Sequence, residues 1–152
     1  MNETNWLSEK QQRSWRSYLQ GMSRLSERLD RDLREKHDIT LAEYEIMVRL
    51  SEQSDRTLRM AELAGELAHS RSRMTHTIKR LENGGLVTRQ TCSVDGRGIE
   101  AVLTDAGFKK LSEASHTHVT GVRNYFVDLA NDQDFEVVGK VMQKVADKLE
   151  TD

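Results

Sequence analysis

The chain has 152 residues, no proline, a single cysteine and 32% charged side chains, with a net charge of −2. That is enough for one domain, or one domain with an appended helical region, and the composition favours long solvent-faced helices over a sandwich of short strands. Cys92 alone excludes an internal disulfide and fits a reducing compartment, and there is neither a run of about 18 apolar residues nor a basic-then-apolar leader, so a cytoplasmic protein with no membrane partner is expected.

The total hides how the charge is distributed. Between Arg59 and Arg97 there are seven basic and four acidic side chains, a surplus of three that leaves the rest of the chain at −5. A basic middle between acidic flanks suits a polyanionic partner.

Ser8 and Gln11 have the spacing of a capping box, with Leu7 before them as a candidate hydrophobic staple. Trp15, Tyr18, Leu19, Met22, Leu25, Leu29 and Leu33 then recur every three or four residues, one apolar stripe on a helix predicted to about Lys36. A helix that long cannot bury its whole stripe against a small domain, so part of it is expected to meet another chain. Thr40 and Glu43 repeat the capping-box spacing ahead of a second helix carrying Leu41, Tyr44, Met47, Val48 and Leu50. "MAELAGELA", residues 60–68, predicts a short third helix with Met60, Leu63 and Leu67 on one side.

The stretch "HSRSRMTHTIKRLENGGLVTR", residues 69–89, predicts a fourth helix. Ser70 is its expected N-cap, Met74, Ile78 and Leu81 form a narrow buried stripe, and Gly84-Gly85 ends it. "LVTRQTC" and "GIEAVLT" flank "SVDGRG", two β-leaning runs around a glycine-bearing turn, which reads as a hairpin. Thr104 or Asp105 then caps a long helix striped by Phe108, Leu111, Val119, Val122, Phe126 and Leu129. After "ANDQD" a last helix carries Phe135, Val138, Val141, Met142, Val145 and Leu149, and no segment repeats another.

Two short helices joined by a tight turn and followed by a hairpin form a winged helix-turn-helix pattern within a mainly α chain. With Met74, Ile78 and Leu81 inward, the outward face of the fourth helix is Arg71, Ser72, Thr75, His76 and Lys79. Ser70 and the unpaired N–H groups of the first turn suit a phosphate. Arg71, Arg73 and His76 have the chemistry to reach guanine, and Thr75 to touch a thymine methyl. A solvated surface helix is the alternative for this segment alone; the hairpin behind it favours a DNA reader.

These residues resemble the MarR family of bacterial transcriptional regulators. "SVDGRGIEAVLT" contains the family's D-x-R-x5-L-T spacing in Asp95, Arg97 and Leu103-Thr104, and "LENGGLVTR" and "ITLAEYEIMVRL" are similar to its helix-turn-helix exit and its second helix. The likeness covers about residues 38–110 in motif and the whole chain in element order. It implies a homodimer on a double-stranded DNA operator, with an N-terminal dimerisation helix (1–37), a winged helix-turn-helix DNA-binding region (38–104) and C-terminal dimerisation helices (105–152) in one intertwined domain. It further implies that Arg97 enters the minor groove and that Asp95 orients the wing. Gly96 and Gly98 depart from the pattern and make the wing tip freer, so the wing is expected to order on DNA. His69 stands where an aliphatic residue is usual and His76 where arginine is common, which leaves the base code open.

The resemblance also implies a repressor released by a small aromatic or anionic effector. Trp15, Tyr18, His37, Tyr44 and Met47, with Arg13 and Arg16 as cationic partners, are the candidate lining, against a core role for the same aromatic stripe. Cys92 is expected to be a packed or half-exposed thiol with no redox role. His116 and His118, two apart on a helix, diverge by about 200° and do not make a metal pair. No phosphate loop, nucleophile elbow or constrained carboxylate pair marks an enzyme, and no cofactor is expected. The competing class is a helical dimeric adaptor that does not bind DNA.

Overall fold

A computed structural model describes residues 3–92, 94 and 96–150. In chain order the elements are α1 (Glu9–His37), α2 (Leu41–Ser51), β1 (Thr57–Arg59), α3 (Met60–Glu66), α4 (Arg71–Asn83), β2 (Val87–Thr91), β3 (Ile99–Leu103), α5 (Asp105–Tyr125), a 3-10 turn (Val127–Leu129) and α6 (Asp132–Glu150). The chain divides into two compact units, one of Leu29–His118 and one of Met1–Arg28 with Val119–Asp152. Among the described residues no helix is long and apolar enough to cross a membrane.

In the Leu29–His118 unit the predicted stripes form the core: Leu33, Met47, Leu50, Leu63, Met74, Ile78, Leu81 and Val87 are fully buried, together with Ile46. The inner stripe of α4 is wider than predicted, because Thr77 is buried too. Its hydroxyl donates to the Arg73 carbonyl at 2.9 Å, which satisfies it inside the core. Thr40 and Glu43 form the expected capping box at the start of α2.

The hairpin is part of a three-stranded antiparallel sheet in the order β1-β3-β2. The strand missed from the sequence is β1, which pairs Leu58 with Ala101 on β3. The α3–α4 turn also starts earlier than predicted, since α3 ends at Glu66 and not Ala68. Ala68 adopts a left-handed φ of 51°, and its N–H and that of His69 close back on the Gly65 and Ala64 carbonyls. An alanine there costs about 1 kcal/mol, so the helix terminates on backbone bonds without a glycine to ease it.

The exit of α4 does use glycine. Gly84 keeps helical φ, and Gly85 takes the left-handed φ of 72°. The Leu86 N–H then returns to Leu81 O and the Leu86 carbonyl accepts the Thr104 N–H at 3.1 Å. The Thr104 hydroxyl donates to Gly85 O at 2.8 Å and accepts the Gly107 N–H at 3.0 Å. Thr104, of the two candidates, is therefore the cap of α5, and it also binds the α4 exit to the root of the wing. Gly107 sits so close to this joint that a Cβ would lie 2.1 Å from Leu86 O.

In the second unit, α1 begins on the predicted box, with Ser8 N–H to Gln11 Oε1 at 2.9 Å and Gln11 N–H to Ser8 Oγ at 3.2 Å. The Leu7 staple does not form: the residue it would pack on is Gln12, whose side-chain amide donates to the Leu7 carbonyl, and Leu7 stays exposed. α5 stops at Tyr125, short of the Phe126 and Leu129 assigned to its stripe. Phe126 leaves helical geometry at φ −141° and packs edge-on against Phe135, with ring centroids 5.2 Å apart, while Leu129 is exposed. α6 buries no side chain, and Val137, Val141, Val145 and Leu149 are exposed along it, as Trp15, Leu19 and Met22 are on α1.

Candidate nucleic-acid interface

Ser70 caps α4, its Oγ accepting the Arg73 N–H at 3.2 Å. Because Met74, Thr77, Ile78 and Leu81 anchor one side, Ser72, His76 and Lys79 point away from it with Arg71, Arg73 and Thr75 flanking them, all exposed. Two other arginines of the basic segment are tied to carboxylates. Arg80 Nε lies 3.1 Å from the buried carboxylate of Glu43 on α2, and Arg89 on β2 donates to Glu82 from Nη2 at 2.8 Å and Nε at 3.1 Å. The positive charge left on display is therefore concentrated on the free face of α4.

Arg73 is near enough to act on two ionisable neighbours. Burial raises the Glu45 carboxyl above its ordinary value, with Arg73 and then Arg49 pulling it back. Burial and then Arg73 hold His69 below 6.5. The His69 ring is half-buried at the α3–α4 turn, and its Nδ1 has no hydrogen-bond partner among the described residues.

The tip between β2 and β3 carries Arg97, exposed, between Gly96 at φ 65° and Gly98 at φ 79°. At its base the Cys92 N–H donates to Gly98 O and the Gly96 N–H to Cys92 O, both at 3.1 Å. Cys92 itself is 2% exposed, so of the two expectations the packed one holds. Asp95 lies outside the described residues.

A feature not read from the sequence is a largely apolar cleft of about 370 Å³ between α3, α4 and the wing, lined by Met60, Met74, Thr75 and Ile99 and by Arg59, Arg71 and Arg89. The signal for Arg89 was present: it stands two residues after buried Val87, on the same face of β2.

The residues expected to line an effector site fall into two groups, one in each unit. Trp15 and Tyr18 stack on α1 with centroids 5.9 Å apart, and Arg13 and Arg16 are exposed beside them, Arg13 3.9 Å from Glu9. In the other unit Met47 has no exposed surface, His37 bonds Thr117 Oγ1 at 2.8 Å, and Tyr44 packs on His118 at 4.4 Å. His116 is exposed, so the two histidines diverge as their spacing predicts.

His118 Nδ1 is buried with no hydrogen-bond partner among the described residues, and burial lowers its pKa below 6.5. The unfolded chain therefore holds the proton at pH values where the folded chain does not. Stability is full above about pH 6.5 and falls as pH drops through that value towards the folded pKa. Urea midpoints at pH 7.5 and 5.5 should show this loss, and His118→Phe should make it smaller. An equal loss in the variant would rule out the His118 contribution.

Comparison with known proteins agrees with this geometry. Residues 39–99 match the MarR family model. Among solved structures, AbsC, a MarR family transcriptional regulator from Streptomyces coelicolor, is 36% identical, with 98% of this chain and 100% of that one covered and a TM-score of 0.91. Sco3205, a regulator of the same family and organism solved in complex with DNA, is also 36% identical, with 98% and 93% covered and a TM-score of 0.93. BldR from Sulfolobus solfataricus, 20% identical over 91% of this chain and 99% of that one, shares the fold at a TM-score of 0.79. No curated protein matches the chain. A winged helix-turn-helix with these motifs, and relatives this similar over nearly its whole length, place the chain in the MarR family of transcriptional regulators, which are not enzymes.

Proposed function

We propose that the protein is a sequence-specific repressor that binds a pseudo-palindromic operator as a homodimer in the cytoplasm and is released by a small aromatic or anionic effector. The observation that carries this reading is α4, where six exposed polar or basic side chains surround the side left free by a buried stripe, together with an exposed arginine on a glycine-flanked tip. Sco3205, 36% identical, has been solved with DNA bound.

Ser70 and the first-turn N–H groups of α4 take a phosphate, Arg71, Ser72, Arg73, Thr75, His76 and Lys79 face the major groove, and Arg97 enters the minor groove with Asp95 orienting the wing. Two-fold symmetry sets the paired α4 helices about 34 Å apart in successive major grooves. The dimer would cover the exposed stripes of α1 and α6, which assigns 1–37 and 105–152 to dimerisation and 38–104 to DNA. For the effector, Tyr44 and His37 with Met47, and Trp15 and Tyr18 with Arg13 and Arg16, supply ring faces, packing and cations; His118 Nδ1 beside Tyr44, without a hydrogen-bond partner among the described residues, supports a polar contact there.

The test is binding to the duplex upstream of the protein's own gene. Arg97→Ala should weaken it on the order of 10-fold, most with A/T-rich flanks, while Thr75→Ala and His76→Ala should change sequence preference more than total affinity. Affinity should fall steeply with salt. No binding to any duplex would leave the adaptor, and variants that alter neither affinity nor preference would remove these contacts.

A further inference from the structure

The sheet face that packs under α4 continues outward past the core. Val87 and Leu103 are buried at its inner end, exposed Arg89 stands level with buried Ala101 in the middle, and Ile99 is exposed at its outer end. The cleft begins there, with Arg71 and Thr75 on its α4 wall and Gly98 and Ile99 on its wing wall. When a helix occupies a major groove and a wing tip the neighbouring minor groove, one sugar–phosphate strand must pass between them, because that strand divides the two grooves. A deoxyribose presents an apolar face and its phosphates present anions. A cleft with Met60 and Ile99 in its lining, and Arg59, Arg71 and Arg89 in its walls, matches both.

We infer that this cleft seats the DNA strand dividing the two grooves, and that Arg89 is a phosphate contact which Glu82 holds in the free protein. This rests on the DNA-binding reading above. Both side chains of the Arg89–Glu82 pair are about a third exposed, at 35% and 34%. A pair that exposed is weak, so a phosphate can take the guanidinium from the carboxylate. Glu82 then competes with DNA, and its charge lowers affinity for every sequence alike. A simple brace between α4 and β2 makes the opposite prediction, since breaking it from either side would only loosen the domain.

The experiment measures binding of the full chain to the upstream duplex and to a random duplex between 50 and 200 mM salt, with thermal midpoints as a check on folding. Arg89→Ala should weaken both duplexes by a similar factor and flatten the log–log salt slope by about 0.9, so that its deficit shrinks about 3.5-fold across that range. Arg89→Lys should restore the slope. Glu82→Gln should tighten binding to both duplexes about 2- to 5-fold even if its thermal midpoint drops. An unchanged slope in Arg89→Ala, or weaker binding by Glu82→Gln, overturns the inference while wild-type binding still stands. A wild type that binds neither duplex overturns the DNA-binding reading itself.

Discussion

Gly107→Ala is expected to cost about 3 kcal/mol or more, the upper end for overpacking, and to leave the winged unit largely unfolded at modest urea. The added methyl would sit 2.1 Å from Leu86 O, 2.7 Å from Leu103 Cδ1 and 3.0 Å from Leu86 C. A side chain tip could swing aside, but the Leu86 carbonyl cannot, because it accepts the Thr104 N–H and Thr104 in turn holds Gly85 and Gly107. Relief requires moving the first turn of α5 off the α4 exit, which breaks those bonds together. Equilibrium urea unfolding checks this, and a loss below about 1 kcal/mol would mean that the joint yields easily.

The second large effect is expected at Glu43, which is 4% exposed and makes two contacts. One carboxylate oxygen accepts the Thr40 N–H at 2.8 Å and the other lies 3.1 Å from Arg80 Nε. Glu43→Ala removes a cap contribution of about 1 kcal/mol, leaves a buried N–H unpaired and opens a void, for a total of about 2–3 kcal/mol. The ion pair adds little to that total, because the Arg80 side chain is 49% exposed and returns to water. Glu43→Gln keeps the volume and the acceptor for Thr40, so it should cost about 1 kcal/mol or less. Equal unfolding midpoints for the two variants would show that neither the cap nor the filling matters.

What was legible in the sequence was whatever repeats or caps locally. The capping boxes at Ser8–Gln11 and Thr40–Glu43 formed because each needs only three residues and one helix start. The α4 stripe fixed its outward face in the same way, since a helix cannot bury Met74, Ile78 and Leu81 without turning Ser72, His76 and Lys79 outward. β1 was not legible: three residues show no alternation, and they become a strand only because β3 offers its free edge. The end of α5 was hidden for another reason. Phe126 keeps helical spacing with Val122, so the pattern runs on where the backbone breaks, with no glycine or proline to mark it. In the candidate site, sequence located the positive charge but not its partners: Arg80 and Arg89 add to the surplus of the basic segment as Arg71 does, yet Glu43 and Glu82 lie beside them.

The short β1 strand has a further consequence, for self-association. A domain that extends a sheet into solvent presents open edges, and a long flat edge invites other strands to add to it. Here one edge is β1, only three residues long, preceded by Arg56 and ending on Arg59. The other is β2, where Thr88, Arg89, Gln90 and Thr91 are all exposed and polar. The protein therefore leaves both sheet edges uncovered without offering a template for cross-β stacking.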